Sequence, residues 1–298
     1  GGNGNQNRDF SFRRIVNVDW VFARGFISTN VSADSDSIER QTIIALSSTG
    51  LLLNSRPIFV LASINKSLST ENVWDNAKFS ESANMIGGVY GKINEVDPQG
   101  NVVVSLDLKD VNWGHLDVDA NNDDIKVVSY VGQSGTTANI SIHFLTSQVV
   151  GRINLANTVL TPRSLESVIE IDNWPYANSA NHLELTMYAI SADLELDGAL
   201  TFKHGSDEAQ VYYSVGGSVT TSAGTKSVEV KGWTQCSLGD LRLPVIFEGF
   251  FKARYGVSFK TYSNVIQFPA GAEQIQYDPA VGQGPTYETP NSALSLLP

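Results

Sequence analysis

Regular alternation along residues 165–189 narrows the choice of fold more than any other feature of this chain. Leu165, Ser167, Ile169 and Ile171 fall on one side of an extended backbone, and Glu166, Val168, Glu170 and Asp172 fall on the other. After an interruption, Leu183, Leu185, Met187 and Ala189 share one side, with Glu184, Thr186 and Tyr188 opposite. Side chains repeat every second residue in a strand but every ~3.6 residues in a helix, so the spacing predicts two half-buried strands. A third run sets Leu194 and Leu196 against Glu195 and Asp197, and Asp197-Gly198 then reads as a turn or bulge.

The interruption, residues 173–181, is unusual. Pro175 has no amide hydrogen and disfavours a central strand. Trp174 and Tyr176 flank it, and Asn173, Asn178 and Asn181 complete the stretch. As a binding tip, Trp174 and Tyr176 would stack on the apolar face of a sugar ring while the three asparagines bond its hydroxyls. The competing reading turns Trp174 inward to close the end of a sandwich, because large aromatic side chains are usually buried.

A chain of 298 residues has room for one large β-domain or two ordinary ones. Charged residues make up only 17%, and Ser, Thr, Asn, Gln and Gly fill the gap, a mixture that suits strand faces and turns. Net charge is -11, and the sequence has no Lys/Arg stripe. Nucleic acid is therefore an unfavoured partner, since phosphate binding needs clustered cations. No apolar run is long enough for a helix to span a bilayer, so no membrane span is expected. Cys236 is the sole cysteine, which excludes an internal disulfide and leaves the core to hold the fold. The composition, together with a start at Gly-Gly-Asn, points to a processed, extracellular protein.

Taken in order, residues 1–9 read as a flexible N-terminal arm, 10–150 as a first β-domain, and 151–268 as a second β-domain or a continuation of the first. Residues 10–29 read as strand. Residues 69–79 form the best helix candidate, with Ser69 or Thr70 as cap. Asp97-Pro98-Gln99-Gly100 reads as a turn between strands at 89–96 and 102–108. From Pro269 onward the character changes, because five of the ten prolines lie at 269, 279, 285, 290 and 298. The expectation is an extended arm over 269–298 that forms no core of its own and lies across a surface through its apolar end.

Few residues suggest chemistry. Asp117, Asp119, Asn121 and Asp123 place oxygen ligands at every second position, as the first half of a calcium loop does, which makes Ca2+ the candidate ion although no cofactor is required. The pattern lacks a closing glutamate, since residue 128 is Val. Asn30, Asn65 and Asn139 each open an N-x-S/T sequon and are candidate glycosylation sites. His115, His143, His182 and His204 show no zinc spacing. A Ser-His-acid triad has no fixed spacing, and no G-x-S-x-G elbow is present. Glu170 and Glu184 are the acids to consider for a glycosidase pair across strands.

The expected fold is all-β and mainly antiparallel, a sandwich or jelly roll of one or two domains with extended N- and C-terminal arms. The first functional expectation is a non-enzymatic, extracellular structural protein that self-assembles, as homo-oligomer or polymer, through sheet edges and terminal arms. The alternative is a carbohydrate-binding or adhesive module, calcium-dependent if the acidic loop holds an ion.

Overall fold

The computed structural model describes residues 10–15, 18–28, 39–50, 56–65, 83–119, 125–133, 138–147, 151–153, 158–160, 164–191, 195–197, 201–204, 210–241 and 259–283. The chain lays down β1 (Phe10–Ile15), β2 (Val18–Ser28), β3 (Glu39–Gly50), β4 (Ile58–Asn65), β5 (Ala83–Val96) and β6 (Val102–Asp107) in one antiparallel sheet. It then crosses to a second sheet for β7 (Asn112–Asp119), β8 (Ile125–Gln133) and β9 (Asn139–Ser147). A small separate hairpin follows, β10 (Gly151–Ile153) with β11 (Thr158–Leu160). Next, β12 (Ser164–Asp172) returns to the second sheet and β13 (His182–Ser191) to the first. The second sheet gains β14 (Glu195–Asp197), β15 (Thr201–His204), β16 (Val211–Ser214), β17 (Ser218–Thr221) and β18 (Gly224–Ser227). The first sheet is completed by β19 (Glu229–Val230), β20 (Thr234–Cys236) and β21 (Lys260–Gln267), and the second by β22 (Ile275–Tyr277) and β23 (Ala280–Gln283).

The expected all-β antiparallel sandwich forms. In the first sheet the path is β1-β2-β3-β4-β5-β13-β21-β19, with β6 beside β5 and β20 beside β21. The second sheet is built on β12, which pairs with β9 along one side and with β22 and β23 end to end along the other. Strands from before and after residue 150 pair in both sheets, β5 with β13 and β9 with β12, so a boundary there would cut both. Aromatic side chains fill the space between the sheets. Phe59 of β4 stacks on Tyr213 of β16 at 5.5 Å and meets Phe144 of β9 edge-on at 5.7 Å. Such pairs add roughly 0.5–1.5 kcal/mol each to what burial alone provides. The Tyr90 hydroxyl of β5 spans the interior to Ser167 Oγ of β12, at 2.7 Å.

Several expectations need correcting. The two alternating strands are not neighbours: β12 belongs to one sheet and β13 to the other, so residues 173–181 cross between layers. Neither strand is half-buried along its whole length. Glu166 and Val168 are buried along with Leu165 and Ile169, and on β13 Thr186, Tyr188 and Ile190 are buried along with the predicted face. Within 10–29 the chain forms two antiparallel strands, β1 and β2, rather than one. The extended arm fails over 269–283, where Ile275, Tyr277 and Val281 lie in the shared core. Pro279 falls at the break between β22 and β23, where its missing amide costs no ladder bond and its carbonyl accepts from the Ser167 amide. The predicted helix at 69–79, and the arms at 1–9 and 284–298, lie outside the described residues.

In β5, the register against β13 slips at Gly91, which is the extra residue opposite Thr186 and Met187. A Cβ at Gly91 would run into the Tyr188 ring, so glycine is what lets the two strands close there.

Burial on the outward face of β12 has a consequence for pH. Glu166 is 4% exposed, and among the described residues its Oε2 has no hydrogen-bond partner. Burial first, and then the like charge of Asp278, push its carboxyl well above the usual range. The folded chain thus keeps a proton that the unfolded chain releases. The stability this confers is present below the ordinary carboxylate pKa and is lost as pH rises through the raised one. Glu166→Gln is expected to remove that loss, gaining about 1–3 kcal/mol at mildly alkaline pH and little in acid. Urea unfolding across a pH series checks this. Parallel curves for both proteins would acquit Glu166.

Candidate functional site

The β5–β6 hairpin and the loop docked against it form one end of the sandwich. The connection is short and heavily bonded. Asp97 accepts from the amides of Gln99 at 3.0 Å and Asn101 at 2.8 Å, and from Asn101 Nδ2 at 3.2 Å. These donors, the Asn101 amide first, hold the Asp97 carboxyl below its usual value. Gly100 takes a φ of 89°, the left-handed region that glycine enters without strain, and its amide closes the turn on the Asp97 carbonyl at 2.9 Å. The predicted turn is therefore present, and it stiffens the hairpin tip.

Past the turn, β6 is an edge. Among the described residues it pairs with β5 alone. Val96 lies opposite Val102 and Glu95 opposite Val104, so Val103 is an inserted residue, a β-bulge. The bulge breaks the alternation of the strand. Val102, Val103 and Val104 are 54%, 46% and 40% exposed in succession, the most exposed large apolar side chains among the described residues. Farther along, Ser105 Oγ donates to Asn94 Oδ1 at 2.6 Å and returns the pair to register.

Directly behind this edge lies Glu95, fully buried on β5. Trp174 Nε1 donates to its Oε1 at 2.8 Å, while Asn181 Nδ2 and the Ala177 amide donate to its Oε2 at 2.7 and 2.9 Å. Burial alone would raise this carboxyl, but the bonds from Asn181, Trp174 and Ala177 outweigh it and hold the group below its usual value. Tyr176 donates to the Ala272 carbonyl at 2.7 Å, and the Gly271 amide to the Asn181 carbonyl at 2.8 Å. Burial, followed by the Glu95 charge, raises the Tyr176 phenol. The loop is thus stitched to the hairpin on one side and to residues 271–272 on the other.

The five predicted binding residues separate on this geometry. Trp174 and Asn181 are buried and bonded to Glu95, and the Trp174 ring joins the core cluster. Tyr176 is half-buried against that cluster. Asn173 and Asn178 are exposed, Asn173 with a φ of 57° and Asn178 with its Oδ1 accepting from the Ala180 amide. Trp174 therefore takes the inward position of the competing reading.

Other predicted residues are scattered. Asp117 and Asp119 stand in β7 opposite Ser129 and Val127, while Asn121 and Asp123 lie outside the described residues. The premise of a tight loop does not hold for the first two, since strand neighbours two apart are separated by about 7 Å. Among the described residues no cluster of metal-ligating side chains occurs. Asn139 opens β9 and is exposed, Asn65 ends β4, and Asn30 lies outside the described residues. Glu170 and Glu184 sit in different sheets, and Glu184 pairs with Lys231 at 3.2 Å, so they do not face one another across strands. Among the described residues no helix is long and apolar enough to cross a membrane.

Two features escaped the sequence reading. Glu95 shares a strand face with Ile93, and an acid at an inward position is the signal that could have drawn attention to it. The β6 edge is announced only by three consecutive valines, a run that reads equally well as a buried strand. No protein-family model matches the chain, and no curated protein matches it. The functional reading therefore rests on geometry.

Proposed function

We propose that this chain is a structural subunit that assembles with copies of itself in an extracellular setting, by pairing strands at open sheet edges. The observation that supports this is β6, a rigidly held strand with three exposed valines that pairs, among the described residues, with β5 alone. Backbone amides and carbonyls along the free side of an edge strand are a template for another strand, and the valines add apolar area to whatever docks. Two copies brought together by a two-fold axis would join β6 to β6 antiparallel, each edge meeting its own equivalent. The low charge density and the sequons support the extracellular setting.

Net charge bears on the conditions. At -11, copies repel one another, and salt screens that repulsion over about 8 Å at physiological strength. Assembly is therefore expected to strengthen with ionic strength. Light scattering across protein and salt concentration, with electron microscopy of the same samples, is the direct measurement. Mass rising above the monomer, more steeply in higher salt, is the expected result. A monomer at every concentration and salt level would overturn the reading. Glycan binding by Trp174 and Tyr176 has less support, because the Trp174 ring is committed to the interior.

A further inference from the structure

Away from the hairpin, on the outward face of the second sheet, side chains of three adjacent strands form a line. Ser129 of β8 lies directly across from His143 of β9, and Ser129 Oγ is 2.7 Å from His143 Nδ1. His143 Nε2 is 3.3 Å from Glu170 Oε1 of β12. The residues alternating with them, Tyr130, Ile142 and Ile169, point into the core, which places all three polar groups on the opposite face. One tautomer serves both contacts: Nε2–H donates to the carboxylate, and Nδ1 accepts the serine hydroxyl. His143 and Glu170 side chains are 16% and 19% exposed, shielded enough to be held in place yet within reach of solvent.

We propose that Ser129 is a nucleophile toward short, uncharged acyl esters, with His143 as its base and Glu170 as the positioning residue. A hydroxyl, an imidazole and a carboxylate in hydrogen-bonded order are the parts that nucleophilic serine chemistry needs. His143 Nδ1 takes the Ser129 proton as Oγ bonds to the acyl carbon. The bond from that carbon to the alcohol oxygen then breaks, and the imidazolium returns the proton to the departing alcohol. Water, deprotonated by His143, then adds to the acyl carbon; the bond from that carbon to Ser129 Oγ breaks, the imidazolium returns its proton to Oγ, and the acid is released. Glu170 fixes the tautomer and balances the imidazolium charge.

The surroundings narrow the substrate. Val127 and the exposed Val131 flank Ser129 along β8 on the same face and suit a short alkyl group. Glu170 and Asp172 on the same face of β12 repel an anionic acyl chain. Ser141, diagonal to Ser129 and about 7 Å away, offers its hydroxyl to the carbonyl oxygen. The amides flanking Ser129 belong to the sheet ladder, so stabilisation of the oxyanion is thin. Acylation is expected to be readily detected and turnover slow.

This inference does not rest on self-assembly, and its test reads a different face. The native protein is incubated with a fluorophosphonate, and the adduct is located by peptide mass mapping. Release of p-nitrophenol from p-nitrophenyl acetate is followed in parallel. The expected result is one adduct per chain, at Ser129, formed far faster in the native than in the urea-unfolded chain. His143→Ala should slow it at least about 100-fold. Glu170→Gln should lower kcat for the ester with KM unchanged. Thermal midpoints confirm folding, and His143→Gln substitutes if the alanine variant unfolds. No adduct at Ser129, labelling as fast in the unfolded chain, or labelling unaffected by loss of His143 would each overturn the proposal.

Discussion

Glu95→Ala is expected to cost about 3–5 kcal/mol of stability and to release the loop at 173–181. The carboxylate accepts from Trp174, Ala177 and Asn181 while fully buried. Bonds to a charged acceptor are stronger than neutral ones, and removing the acceptor strands its donors in a place water does not reach. Glu95→Gln keeps the shape but sets an amide NH2 against at least one donor, so it should recover only part of the loss. The pH dependence separates this role from simple packing. With its pKa lowered in the fold, Glu95 confers stability that is present above the ordinary carboxylate value and is lost as pH falls through the lowered one. Wild type should therefore lose stability in acid, and Glu95→Ala should show less of that loss. Glu166 acts in the opposite direction, its contribution falling away as pH rises. Urea midpoints over a pH series, with limited proteolysis at 173–181, test the claim. An unchanged midpoint and a loop equally resistant to protease would show that Glu95 does not anchor it.

What could be read in advance follows from how local each feature is. Alternation revealed β12 and β13, and Asp97 through Gly100 revealed a turn, because period and turn chemistry are written in adjacent residues. Which strands pair is not written there. Period two places a residue on a face without naming the neighbour, and so β12 and β13 gave no sign of lying in different sheets. Prolines at 269 and 279 suggested an arm, whereas β22 and β23 are too short to show a period and use Pro279 as the break between them. The site was still less legible. Trp174 drew attention as a large aromatic in a polar loop, but its partner Glu95 is 79 residues away in sequence. Ser129, His143 and Glu170 come together through strand register, which spacing along the chain does not encode.

Val103→Lys is expected to abolish self-association while leaving the fold intact. Position 103 is the inserted residue of the β6 bulge, 46% exposed, so a longer side chain has room and costs little stability. A charge on an edge strand must be desolvated when a second strand pairs there, which is why lysine is a common guard on natural edges. The bulge is itself such a guard, since it twists the strand, but it also turns successive valines outward where β6 would otherwise alternate. These effects oppose one another, and the variant decides which dominates. Val103→Glu separates desolvation from overall charge, because it makes the chain more acidic where lysine makes it less so. If edge pairing drives assembly, both substitutions block it. If general repulsion governs association, lysine should promote it and glutamate oppose it. Val131→Lys is the control: Val131 is the next most exposed valine, at 39%, but its strand β8 is paired on both sides by β7 and β9. That variant should assemble as wild type does. Assembly lost equally in Val103→Lys and Val131→Lys would point to faces rather than edges, and assembly retained in both Val103 variants would remove β6 from the contact.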